Sequence, residues 1–130
     1  MDEAPVKLVD TSAWVGYLRP GLSEVGERVE ELVLNDAAAL CDMVLLELWN
    51  GARGADEKRK LEELAATAPR IDTSREVWNF AHRLAVRCRQ RGKTVPAADI
   101  LIAACAAHHK LELEHEDGRF NEILPLAADL

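Results

Sequence analysis

The sequence predicts an α/β chain with a three-layer α/β/α arrangement around a central, mainly parallel sheet. One observation is order: short apolar or alternating runs at Val6–Val9, Ala38–Cys41, Arg70–Ile71 and Leu111–His115 are separated by longer stretches with apolar residues at helical spacing. Strands that alternate with helices stack as a parallel sheet covered by those helices, because a crossover between parallel strands needs the length of a helix. The other is composition. Of the 130 residues 48% are apolar but only 5% aromatic, so Ala, Leu and Val build the interior, which suits close helix packing better than an aromatic-rich β-sandwich. A chain of this length is expected to be one domain, 1–130, with enough apolar mass for a core of its own.

The elements follow in order. Val6–Val9 is a β-prone run ending at Asp10. A turn signal at Arg19, Pro20 and Gly21 closes the short segment after it, and Ser23 is placed to cap a helix whose stripe is Leu22, Val25, Val29, Leu32 and Val33. Ala38–Cys41 reads as a second strand. Asp42 is then expected to cap a helix through Trp49 that fades at Gly51 and Gly54. A charged helix from Asp56 to about Ala66 turns Leu61 and Leu64 inward; Pro69 ends it, and Arg70–Ile71 reads as a third strand. Thr73 with Glu76 three residues on has the capping-box pattern, and Val77, Phe80, Ala81, Leu84 and Cys88 continue the stripe until Arg91, Gly92 and Lys93. Pro96 opens an Ala-rich helix through about His109. Leu111–His115 alternates like a strand and stops at Asp117-Gly118, and Ile123–Leu126 reads as a short final strand. Neither a repeat, a linker nor a low-complexity segment interrupts the chain.

Charge and cysteine content narrow the function classes. A net charge of −7 excludes a general nucleic-acid coat protein, which needs a dominant positive field, but suits an enzyme whose acids are partly cancelled by bound cations. Cys41, Cys88 and Cys105 are odd in number and form no CxxC pair, so each reads as a small buried hydrophobe in a reducing compartment. The acidic start Met1–Pro5 lacks the features of a secretory signal and no apolar run is long enough to span a bilayer; the expectation is a soluble, cytoplasmic protein without membrane contact.

Four acids are candidates for chemistry, and each has a plainer reading. Asp10 follows a strand, where sites form in open α/β sheets, and is equally a helix N-cap. Glu47 is the only acid in an apolar helical window, where a carboxylate needs a cation; it also shares a face with Asn50, Gly51 and Gly54, which would make that face the wet side. Asp99 heads a stripe continued by Ile102, Ala103 and Ala106, an unusual place for an acid, although a first-turn Asp also opposes the helix dipole. Asp117 ends a strand, and Asp-Gly is a routine turn. In combination, two follow strands and two lie on helices, so the topology can bring all four to one edge of the sheet. Oxygen ligands alone select Mg²⁺ or Mn²⁺.

The order of these blocks, Asp10-Thr11-Ser12 after a strand, Glu47-Leu48-Trp49-Asn50-Gly51 on a helix, Pro96-Ala97-Ala98-Asp99-Ile100-Leu101 and His115-Glu116-Asp117-Gly118-Arg119-Phe120, resembles the PIN domain. More narrowly it is similar to the VapC-type toxins of bacterial and archaeal toxin–antitoxin modules, from Val6 to about Leu126. The resemblance implies a Mg²⁺- or Mn²⁺-dependent endoribonuclease. Asp10 and Asp99 would be the primary metal ligands and Glu47 and Asp117 would complete the site, while Thr11 and Ser12 either orient a carboxylate or water or cap a helix. It further implies an RNA substrate, a homodimer, and a VapB-like antitoxin whose tail blocks the acids and whose Arg pairs with them. One position departs from the pattern: many relatives carry Thr or Ser where this chain has His115. The basic run Arg83, Arg87, Arg89, Arg91 and Lys93 is either a track for RNA or a solvated helix face. His82, His108, His109 and His115 lack the spacing of a transition-metal site, and Trp14, Trp49 and Trp78 read as core or interface anchors. Two other classes compete. A PIN-like module that binds RNA or protein without catalysis would dispense with the four acids. A phosphotransferase using Asp10 as nucleophile in the haloacid-dehalogenase manner places a second acid two residues on, where this chain has Ser12, and a receiver domain would need an early acidic pair.

Overall fold

In a computed structural model of the chain, residues 5–21 and 23–130 are described; Leu22, expected in the stripe of the Ser23-capped helix, and residues 1–4 lie outside them. The element order is β1 (Lys7–Val9), α1 (Thr11–Leu18), α2 (Glu24–Leu34), β2 (Ala38–Cys41), α3 (Asp42–Asn50), α4 (Gly54–Thr67), β3 (Arg70–Ile71), α5 (Arg75–Gln90), α6 (Ala97–His108), β4 (Leu113–Glu114) and α7 (Arg119–Ala127). The strands form one four-stranded sheet in the order β3-β2-β1-β4, and every pairing is parallel. The expected α/β class with helices around a parallel sheet is what forms.

Register follows from burial. Leu8 faces Ala39 on one side and Leu113 on the other, and all four residues of β2 are buried, the continuous apolar pattern of a strand covered on both faces. Trp14, Leu8, Leu40, Leu61, Leu84, Ile102, Phe120 and Ile123 fill the core, and α6, buried at Leu101 through Ala106, runs through its middle with α5, α7 and α3 packed against it. The three cysteines are free and buried, as expected. Among the described residues no helix is long and apolar enough to cross a membrane.

Several local expectations change. The segment after Asp10 is a helix, α1, which buries Ala13, Trp14 and Leu18. Cys41 rather than Asp42 occupies the N-cap of α3, and Asp42 opens the first turn. Ser74 rather than Thr73 caps α5, accepting from the Val77 N–H. The Leu111–His115 run pairs only over Leu113–Glu114. Ile123–Leu126, expected as a strand, lies inside α7: Phe120, Ile123 and Ala127 are buried at helical spacing, and Pro125 forfeits the backbone bond it would otherwise make to the Asn121 carbonyl.

Candidate active site

Chain order and sheet order diverge at one place. From β1 the chain steps outward to β2 and β3, then returns to lay β4 on the opposite flank of β1, so the crevice at the carboxyl ends of β1 and β4 is the switch point where open α/β sheets bind ligands. Asp10 directly follows β1, and Asp117 lies three residues beyond β4.

Asp10 is also the N-cap of α1. Its Oδ2 accepts from the Ser12 N–H at 3.1 Å and from the Ser12 hydroxyl at 2.7 Å, and only 4% of the residue is exposed. The capping and functional readings of Asp10 are therefore compatible, because the cap occupies one carboxylate oxygen. Ser12 Oγ in turn accepts from the Glu116 N–H at 2.9 Å, which ties the loop after β4 to the end of β1. Glu47, half-buried on α3, accepts from the Thr11 hydroxyl at 2.7 Å. Two hydroxyls adjacent in sequence thus hold two acids that lie 37 positions apart.

Asp99 stands in the first turn of α6 and is 8% exposed. Its Oδ2 has no hydrogen-bond partner; the nearest cation is the Arg119 guanidinium, whose Nη2 is 3.4 Å away. Burial pushes the Asp99 carboxyl above the ordinary carboxylate range; Arg119 opposes this, and the charges of Asp10, Asp117 and Glu47 reinforce it. The structure therefore brings Asp10, Glu47 and Asp117 within electrostatic reach of Asp99. Asp117 is in the opposite condition. Its Oδ1 accepts from the Arg119 backbone N–H at 3.0 Å and its Oδ2 from Arg119 Nη2 at 2.8 Å and Nε at 3.1 Å, hydrogen bonds that hold its carboxyl below the usual range. His115 offers Nδ1 to the Asp117 N–H at 3.3 Å and rests its ring on Phe120.

The fit to a cation can be judged from these groups. Every donor is a carboxylate or hydroxyl oxygen, the chemistry of a hard divalent ion, and a buried anionic oxygen without a hydrogen bond is expensive unless a cation answers it. The residues fit. Their side chains are nonetheless not drawn into a finished shell: among the described residues no three His, Cys, Asp or Glu groups converge closely enough to grip an ion as they stand. Arg119 instead reaches both Asp99 and Asp117.

Arg119 is the residue that sequence reasoning overlooked. An arginine after Asp-Gly reads as solvated surface, and the only signal was its two-residue spacing from Asp117, which lets an Asx turn fold the side chain back onto its own carboxylate. Of the basic run on α5 and beyond, Arg87 pairs with Asp129 and Lys93 with Glu122, so part of that face is already neutralised. Trp14 is a core residue, while Trp49 and Trp78 are 37% and 47% exposed. A groove of about 470 Å³ between α1, α2 and α4 includes none of the four acids and carries Glu27, Glu30 and Glu63 with one cation, Lys60.

An all-parallel α/β sheet with carboxylates gathered at its switch point is the architecture of the PIN domain, and the sequence matches that domain over residues 7–123. It is 32% identical over 120 residues to the VapC ribonuclease Mb1587 of Mycobacterium bovis and to ribonuclease VapC11 of Mycobacterium tuberculosis, spanning 89% of this chain and 90% of each relative. The crystal structure of VapBC2 from Rickettsia felis bound to a DNA fragment from their promoter superposes with a TM-score of 0.77 at 21% identity, covering 93% of this chain and 94% of that one. The chain belongs to the PIN-domain family, in its VapC ribonuclease branch.

Proposed function

We propose that the chain, as one PIN-like domain, is a Mg²⁺- or Mn²⁺-dependent endoribonuclease that acts as the toxin of a toxin–antitoxin pair in the cytoplasm. The observation that carries the metal reading is Asp99 Oδ2, a buried carboxylate oxygen with no hydrogen bond amid three further acids. Asp10 and Asp99 would hold the ion, and Glu47 and Asp117 would complete the site. A divalent ion bound there supplies positive charge to the scissile phosphate and makes water a better nucleophile near neutral pH. The chain's own residues prepare that chemistry. Ser12 fixes one oxygen of Asp10 and leaves the other free, Thr11 orients Glu47, and the Ser12–Glu116 bond ties the loop that carries Asp117 to the end of β1. Burial keeps Asp99 and Asp10 away from bulk water, so a cation bound there would act on their charges with little screening by solvent.

Similarity to ribonucleases supports RNA as the substrate, and the VapBC2 assembly supports a VapB-like antitoxin partner. A homodimer is part of the proposal, resting on exposed apolar side chains of α3 and α5. The test is cleavage of total cellular RNA by the purified chain with Mg²⁺ or Mn²⁺. Cleavage is expected to stop with EDTA and in Asp10→Asn and Asp99→Asn. Cutting that survives EDTA or either substitution would refute these roles. Sequencing the cut ends identifies the RNA.

A further inference from the structure

One guanidinium lies between two of the four acids. Arg119 Nη2 is 2.8 Å from Asp117 Oδ2 and 3.4 Å from Asp99 Oδ2, although Asp99 belongs to the first turn of α6 and Asp117 to the loop before α7. Among the described residues no other cation makes an ion pair with any of the four acids, and Asp10 and Glu47 are held by hydroxyls. The fit to the two carboxylates is unequal. The planar fork grips Asp117 through Nε and Nη2 and leaves Asp99 at ion-pair distance without a hydrogen bond. The Arg119 side chain is 53% exposed and also lines a cleft of about 200 Å³ that includes Lys93, Thr94 and Glu122, so there is space beside the acids for the guanidinium to occupy.

We infer that Arg119 is a tethered counter-ion that competes with the divalent ion for the carboxylates of Asp99 and Asp117, so that loading the metal requires the guanidinium to let go of Asp99 and this residue sets the metal affinity. The inference rests on the reading that these acids hold a divalent ion. A single positive charge bridging two carboxylates from different elements does in part what such an ion does, which keeps the crevice assembled without metal. Tethering by a two-residue turn makes the contact local and quick to re-form. The unanswered oxygen of Asp99 gives a stronger cation its advantage.

The test uses the full chain and Mn²⁺ alone, titrated by calorimetry into the wild type, Arg119→Gln, Arg119→Lys and Lys93→Gln. Loss of one partly exposed ion-pair competitor is expected to tighten Mn²⁺ binding about five- to tenfold in Arg119→Gln. Arg119→Lys, which keeps the charge and loses the fork, falls between. Lys93→Gln removes a nearby charge that touches none of the four acids and changes the affinity by less than about twofold. Melting gives a readout that a purely structural role would not move: in EDTA Arg119→Gln melts below the wild type, and in saturating Mn²⁺ the gap closes. Equal or weaker binding by Arg119→Gln, or a melting gap that is the same in EDTA and Mn²⁺, overturns the inference. If Arg119→Gln does not fold, Arg119→Lys carries the same comparison. If no protein binds Mn²⁺ or shifts its melting temperature with it, the metal reading itself falls and takes this inference with it.

Discussion

Asp99 sets stability against function at a single carboxylate. Burial and three neighbouring acids raise its carboxyl above the unfolded value, so the folded chain holds that proton more tightly than the unfolded chain. The contribution to stability is therefore full below the unfolded value and is lost as pH rises through the folded one, leaving the ionised group a burden at neutral pH in the metal-free protein. Asp99→Asn is expected to raise the melting temperature in EDTA, by an amount equivalent to about 1 kcal/mol, while abolishing the stabilisation that Mn²⁺ gives the wild type. A lower melting point in EDTA would mean that the Arg119 contact outweighs burial. Thr11 tests positioning. Thr11→Val keeps the shape but leaves Glu47 without its 2.7 Å donor, and cleavage should drop about tenfold with the fold intact by circular dichroism. At this scale the four acids stand out as candidates through their order along the chain. Arg119 stayed hidden because its meaning depends on Asp99, twenty positions earlier, being carried to the same crevice by α6.

Helix ends and one helix crossing decide how firmly the elements are held. α2, α5 and α6 finish the same way, with paired bonds such as Gly92 N–H to the Arg89 carbonyl at 3.0 Å and Lys93 N–H to the Cys88 carbonyl at 2.8 Å. The residue that turns left-handed is Gly92 in α5, but Asp36 (φ 55°) in α2 and Lys110 (φ 57°) in α6. Side-chain-bearing residues are strained there, so Lys110→Gly is expected to stabilise the chain by about 0.5–1 kcal/mol and Gly92→Ala to destabilise it by about 1 kcal/mol, both read from urea midpoints. At the α1–α2 crossing a Cβ on Gly26 would sit 2.6 Å from the Gly16 carbonyl oxygen and 2.7 Å from Ser23 Oγ. Backbone cannot yield as a flexible side chain can, and Gly26→Ala should cost about 1–3 kcal/mol, whereas Gly51→Ala, with nothing nearer than 3.6 Å, should cost little. These elements also mark the limits of sequence reading. The amphipathic α5 announces itself through Val77, Phe80, Ala81, Leu84 and Cys88. α1 does not, because Ala13, Trp14, Val15, Tyr17 and Leu18 are apolar nearly all round and leave no period to detect. Ile123–Leu126 resembles a strand for a related reason: four residues are too few to separate the period of a strand from that of a helix, and Phe120, which settles it, lies outside the run.

For the molecule as a whole, the question is what covers its exposed apolar residues. Leu46 is 61% and Trp49 37% exposed on α3, and Trp78 is 47% and Val86 58% exposed on α5; both helices pack against the buried α6, and among the described residues these side chains keep a large part of their surface open. A two-fold axis uses each such contact twice, and covering the open half of one large apolar side chain contributes about 1 kcal/mol, so that four of them per protomer favour self-association. With a net charge of −7, two copies also repel one another, so the apolar contact has to outweigh that repulsion, and added salt should strengthen the dimer rather than weaken it. The wild type is expected to sediment as a dimer at micromolar concentration. Trp49→Glu combined with Trp78→Glu places four carboxylates across the proposed contact and should give a monomer with an unchanged circular dichroism spectrum. Leu34→Glu is the control: Leu34 is 79% exposed, but it sits on α2, which packs against α1, and its loss should leave the dimer in place. A wild type that sediments as a monomer, or a dimer that persists in the double variant, would remove α3 and α5 from the interface.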